Sequence, residues 1–192
     1  MTPASSLYLL FVAVSVAVAA RERSVALRNE RRLLAEGGTE VAPAVFSFMV
    51  PVYALHFPAA AWEHVALHRA PRFAWVAAML LVFAASKWLK GASVRALGEA
   101  WTMRVVVPAQ PRVAATGPYR FLRHPNYVAV VGELLSLPLA GGAWITAVVF
   151  GAAFGAVLFA RVRTEEAALL ARPEYAAAMA DRPRFLPGRP PS

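Results

Sequence analysis

Residues 127–160 read YVAVVGELLSLPLAGGAWITAVVFGAAFGAVLFA. Two apolar runs, Tyr127 to Leu139 and Ala143 to Ala160, flank the short break Ala140-Gly141-Gly142, and Glu133 is the one charged residue in the stretch. Runs this apolar, joined by so short a turn, predict a helical hairpin in a bilayer. Crossing a hydrocarbon core of ~30 Å takes about 20 helical residues, so both arms are short. Three more apolar segments precede the hairpin: Leu7 to Ala20, Val41 to Ala61 and Phe73 to Leu89. Pro51 and Pro58 interrupt the second and predict kinks there, which a span tolerates where neighbours satisfy the freed carbonyls. With 59% hydrophobic and 16% charged residues in 192, the chain is too apolar for an ordinary soluble domain. The expectation is one all-α integral membrane domain, a helical bundle of about five transmembrane helices.

The basic residues give this bundle a direction. Eighteen of the 20 Lys and Arg residues fall after span one, between spans three and four, or after span five, leaving Arg69 and Arg72 on the other side. The positive-inside rule then sets the N-terminus outside and the C-terminus in the cytoplasm. Ala17-Val18-Ala19 resembles a signal-peptidase site, but no Lys or Arg precedes the apolar run, so it reads as a retained helix. The net charge of +9 is spread between apolar runs with no nucleic-acid-binding signature, so the partners expected are membrane lipids and no nucleic acid. Without cysteine there is no disulfide or thiolate chemistry. His64 and His68 lie one helical turn apart, yet they read as membrane-boundary residues, and no metal site is expected.

The expected parts are three spans and their loops over 1–90, a cytoplasmic loop over 91–126, the hairpin over 127–160, a helix over 161–182 and an irregular proline-rich tail over 183–192. Residues 21–40 read as a solvated helix ending at Gly37-Gly38, and Leu97-Gly98-Glu99-Ala100-Trp101-Thr102 reads as interfacial.

Two segments stand out for chemistry. Gly117-Pro118-Tyr119-Arg120-Phe121-Leu122-Arg123-His124-Pro125-Asn126-Tyr127 leads into the hairpin. Pro125 suits a first helical turn, whose free N–H groups, with Arg123 and His124, suit an anionic group. Tyr, Phe, Arg and His are equally at home as anchors at a bilayer boundary, and the residues alone leave both readings open. The second is Arg161-Val162-Arg163-Thr164-Glu165-Glu166, where Arg161 and Glu165 share a helical face, as do Arg163 and Glu166. Ionisable groups entering a membrane segment are costly and usually functional; the bland alternative is two surface ion pairs.

The ordered set Gly117-Pro118-Tyr119, His124-Pro125-Asn126-Tyr127, Glu133, Arg161, Glu165-Glu166, Glu174-Tyr175 and Pro183-Arg184-Phe185-Leu186-Pro187 resembles the isoprenylcysteine carboxyl methyltransferase family over residues 95–188. It looks most like bacterial members that methylate hydroxyls of long-chain polyketides. The resemblance implies a bacterial inner-membrane enzyme whose C-terminal half binds S-adenosylmethionine under cytoplasmic loops, with a lipophilic or lipid-anchored substrate entering from the bilayer. It also implies cofactor-binding roles for Tyr119, His124, Pro125 and Tyr127, and a charged pair, Arg161 and Glu165, beside the reacting methyl. Glu166 is the register alternative, assigned to the cofactor. The chain departs from the family pattern at Ala129, at Ala178 and at Asp181-Arg182.

Methyl transfer from a sulfonium is an in-line displacement in which positioning matters most, and a dry pocket favours the mutual loss of charge when the acceptor is an oxyanion. The acceptor is a carboxylate or hydroxyl oxygen: Arg161 would hold it, while Glu165 would either take the proton of a hydroxyl or orient Arg161. A membrane reductase of related architecture and a non-catalytic scaffold are the competing classes; no glycine-rich dinucleotide fingerprint is present.

Overall fold

The computed structural model describes residues 2–110 and 113–186. Helix α1, Pro3–Ala35, opens on the Thr2 side chain, which accepts from Ser5 N–H, with Pro3 in the first turn. It continues unbroken past Arg21. Arg, Glu, Ala and Leu dominate residues 21–35 and are all good helix formers, so the onset of charge ends the apolar run without ending the helix. At 33 residues α1 is about 50 Å long and outruns the bilayer core. The expected separate solvated helix is thus the continuation of span one, and it holds the loop that follows α3. Asn29 donates to the Trp101 carbonyl at 2.8 Å, and Glu30 accepts from the backbone N–H of Met103 and Arg104 at 3.1 Å each. A two-residue antiparallel pair, β1 (Thr39–Glu40) with β2 (Val106–Val107), clasps the same loop again.

Helix α2, Pro43–Ala66, runs through both Pro51 and Pro58 as a single helix, and α3 spans Phe73–Leu97. A short 3-10 turn, Gly98–Ala100, follows α3, and another, Gly117–Arg120, precedes α4, Pro125–Ala140. Helix α5 covers Trp144–Leu170, and α6, Pro173–Met179, starts after a break at Arg172. The longest packed seams run between α3 and α4 and between α2 and α5. Gly132 faces Ser86 so closely that any side chain there would collide with it, which is how α3 and α4 approach.

Helices α1, α2, α5 and α3 with its 3-10 extension are long and apolar enough to cross a bilayer. The fourth expected span, α4, has 16 residues and a length of about 24 Å, short of the core thickness. Leu134, Leu137 and Pro138 are fully enclosed, so α4 is wrapped by protein where the other helices point Leu7, Phe48, Trp62, Leu81, Trp88 and Val148 outward. Gly142, at φ +72°, makes the turn into α5.

Charges inside the bundle are paired. Glu63 accepts from the N–H groups of Ile145 and Thr146 at 3.1 and 2.7 Å and from the Thr146 hydroxyl at 2.8 Å, so it caps α5 from another helix. His64, expected at the boundary, is buried and binds the hairpin turn through Nδ1 to the Gly141 carbonyl at 2.7 Å; His68 is exposed. Among the described residues no cluster suits a metal ion. Lys90 lies between Glu22 and Glu133, 3.2 Å from the latter, and Lys87 joins both carboxylates.

Candidate active site

The site grows from the turn into α4. Gly117 takes φ +56°, which a side chain would resist, and lets Pro118 and Tyr119 fold back beneath α3. Tyr119 is buried; burial and the Glu165 carboxylate push its phenol well above the usual range. Pro125 then opens α4 and is itself enclosed, so it fixes the turn without lining either cavity at the site.

His124 is held from three sides. Its Nε2 meets Glu166 Oε1 at 3.0 Å, and its backbone N–H donates to the Arg184 carbonyl at 3.1 Å. Its ring stacks on Tyr127 at 5.3 Å and touches Phe185 at 5.9 Å. Arg123 N–H donates to the Pro183 carbonyl at 2.9 Å, and Arg182 donates to the Tyr119 carbonyl. The start of the expected tail is therefore a strap over the site: proline ended the helix, but the chain still had backbone carbonyls to offer. The remainder of that tail, Pro187 onward, lies outside the described residues.

Glu166 does not pair with Arg163, contrary to the helical spacing. It turns inward and gathers Arg123 at 3.4 Å, His124, and Arg184 at 2.7 Å, while Arg163 lies over the Phe159 ring. Three cationic or hydrogen-bonding partners on one buried carboxylate outweigh a surface contact worth a few tenths of a kcal/mol, on the order of 0.3. Glu166 lines neither of the two cavities at the site; it fixes Arg123 and His124, which line one of them.

Arg161 and Glu165, the residue next to Glu166, stand on one face, but their Nε and Oε2 atoms are 3.8 Å apart. Tyr127 bridges them: Arg161 Nε donates to its hydroxyl at 2.6 Å, and that hydroxyl donates to Glu165 Oε2. Arg161 is 4% exposed, and its Nη1 meets just the Met49 sulfur at 3.7 Å, so most of its donors remain unspent.

Two cavities meet at this chain of groups. The first, the more polar of the two, is lined by Arg104, Tyr119, Arg123, His124, Glu165 and Tyr175, among others. Burial and the Glu165 carboxylate push the Tyr175 phenol up to about 12. The second, about 400 Å³, is walled by apolar side chains of α1, α2, α4 and α5. Val16 and Val50 line it and also face outward, so its rim opens between α1 and α2 on the lipid-facing surface. Trp101, Thr102, Asn126, Tyr127 and Arg161 line both cavities and form their junction.

The structure thus brings Tyr119, His124, Tyr127, Arg161 and Glu165 to one place. Sequence reasoning gave no role to Asn126, although it lies inside the quoted motif, and left Trp101-Thr102 as interfacial. Their proximity to Arg161 depends on α1 holding the 101–104 loop, which no local pattern reveals.

A model of the isoprenylcysteine carboxyl methyltransferase family matches residues 76–171, half of the chain. An uncharacterized protein of Bacillus subtilis (strain 168), YpbQ, is 26% identical over 166 residues, which is 85% of this chain and 96% of that protein. The matched stretch runs from α3 through the hairpin to the end of α5 and so carries the turn into α4, the Tyr127 bridge and the Arg161 face. The chain is an integral membrane methyltransferase and belongs to the isoprenylcysteine carboxyl methyltransferase family.

Proposed function

We propose that the protein transfers a methyl group from S-adenosylmethionine, held in the polar cavity, to an oxygen of a lipophilic substrate that enters the apolar cavity from the bilayer. The observation that carries this reading is the meeting of a polar and an apolar cavity at Arg161 and Tyr127. The polar cavity fits the cofactor's chemistry. Among the described residues, Trp101 Nε1, Arg123 Nε and Asn126 Oδ1 in its walls are buried and make no hydrogen bond, and a zwitterion with a heteroaromatic base satisfies such atoms. The Glu165 carboxylate and the faces of Tyr119 and Tyr175 suit a sulfonium.

Once bound, S-adenosylmethionine supplies an electrophilic methyl carbon on a positively charged sulfur. Arg161 points its unspent N–H groups at the acceptor oxygen and favours its anionic form. Glu165 lines the polar cavity alone, so it reaches the acceptor through Tyr127. That bridge orients Arg161 and gives a hydroxyl acceptor a route for its proton, from substrate to Tyr127 as Tyr127 passes its own to Glu165. A carboxylate acceptor needs the orientation alone. The apolar walls exclude water and so favour the loss of charge as oxygen and sulfonium neutralise each other. In this arrangement the N-terminus faces outward and the C-terminus the cytoplasm, a reading the distribution of basic residues supports.

The test is direct. Protein purified in detergent, given S-adenosylmethionine with a labelled methyl group and a membrane lipid extract, should move label into the organic phase. Label that stays entirely in the aqueous phase with every lipophilic acceptor supplied would sink the proposal.

A further inference from the structure

We infer that the apolar cavity holds a second polar subsite, the Lys90 ammonium, which takes a neutral oxygen on the substrate's chain at a fixed distance from the oxygen that is methylated; this rests on the methyltransferase reading above. Lys90 lies on α3, is 4% exposed and lines the apolar cavity beside Tyr53, whose ring centroid is 6.0 Å from its Nζ. An ammonium in such a wall is costly to bury, and two carboxylates, Glu22 and Glu133, hold it there. Tying the helices together does not call for it. Lys87 already bridges the same two carboxylates, at 3.0 Å from Glu22 and 3.1 Å from Glu133, and lies outside the lining of that cavity. What Lys90 adds is a cation on the cavity side.

The chemistry of that cation narrows its ligand. An ammonium has three N–H groups and no acceptor. Lys90 donates to Glu22 Oε2 and, at 3.2 Å, to Glu133 Oε2, and among the described residues it makes no other hydrogen bond. One N–H is left. The charges are already balanced, with Glu22 and Glu133 facing Lys87 and Lys90. A further anion would bring uncompensated charge into an apolar wall, so a neutral carbonyl or ether oxygen is the group that suits the remaining N–H.

Helix α4 sets the distance. Tyr127 and Val130 line the cavity at successive turns of it, and Glu133, at the next turn, grips Lys90. Arg161 is tied to Tyr127 at 2.6 Å and Lys90 to Glu133 at 3.2 Å, so both cations are referred to one helix. From Tyr127 to Glu133 the helical rise is about 9 Å along the axis. A substrate held at both points is fixed in register, and that register presents one chosen oxygen to the reacting methyl. A plain hydrocarbon chain has no such stop and slides along the wall.

The experiment uses three para-dodecylphenols that carry a ketone at the third, sixth or tenth chain carbon, titrated by calorimetry into the full-length protein in detergent without any methyl donor. The three are isomers and enter detergent alike, so differences between them report on the cavity. The third-carbon ketone sets its oxygen near the required distance from the phenol oxygen and should bind at least about tenfold tighter than the tenth-carbon isomer. Lys90→Met removes the ammonium at similar length and should bring the isomers within about twofold of one another. Unmodified para-dodecylphenol, titrated alongside, reports whether the cavity is intact. Should that variant fail to fold, Lys90→Met with Glu133→Gln keeps the charges balanced and should level the isomers in the same way. Equal binding of the isomers to the wild-type protein would overturn the proposal, whatever the variants do. So would a third-carbon preference that survives in a folded variant. The donor is added only afterwards. Isomers that rank as expected but take up no labelled methyl group refute the methyltransferase reading and leave the subsite standing, whereas methyl uptake without the ranking does the reverse.

Discussion

Arg161 and Glu165 are separated by the width of a phenol oxygen, and that geometry decides what each variant should do. If they were a surface pair, removing either would cost under about 1 kcal/mol and leave turnover nearly intact. Arg161 is buried at the junction, so Arg161→Ala should lower turnover at least about a hundredfold, roughly 2.7 kcal/mol of barrier, as measured by single-turnover methyl transfer. Tyr127→Phe cuts the bridge while keeping the ring, so it should approach the defect of Glu165→Gln, and the double variant should be little worse than either alone. Additive losses would mean that Tyr127 and Glu165 act separately. The deficit of Glu165→Gln should shrink as the substrate hydroxyl is made more acidic if the carboxylate receives the proton, and ignore acidity if it orients Arg161. Much of this was legible in the sequence, because Arg161 and Glu165 are one turn apart and Tyr127 follows a recognisable His124-Pro125 turn. The partnership of Glu166 was not, since helical spacing pointed to Arg163 and only the folded strap brings Arg184 to it.

Among the elements, the hairpin was readable because its two apolar arms and glycine turn are contiguous. The length of α1 was misread at a charge boundary that helix propensity ignores, and the shortness of α4 was visible but its enclosure was not. What positions the hairpin lies outside it: Glu63, on α2, takes the free N–H groups at the start of α5. Glu63→Ala should leave those donors and Arg69 without their partner and cost about 1–3 kcal/mol, read as a lowered thermal midpoint in detergent. Because Glu63 is remote from the junction, the surviving folded protein should keep its affinity for S-adenosylmethionine; a large loss there would tie the α5 N-terminus to the site.

For the molecule as a whole, the bundle sets a polar cavity beside an apolar one and joins them at the junction where Arg161 is buried. In the proposed orientation, which rests on the eighteen-to-two division of basic residues, the polar cavity faces the cytoplasm. A reporter fused after Ser192 should therefore be active only in its cytoplasmic form, and activity confined to the outer side would reverse the topology. The central claim, that the turn into α4 holds a methyl donor, is tested most directly by equilibrium binding of radiolabelled S-adenosylmethionine to the wild-type protein and to a well-folded His124→Ala variant. Saturable binding, displaced by S-adenosylhomocysteine but not by a reduced nicotinamide dinucleotide and weakened about tenfold or more in the variant, is the result expected. Absence of saturable binding, or an affinity that His124→Ala leaves unchanged, would contradict it.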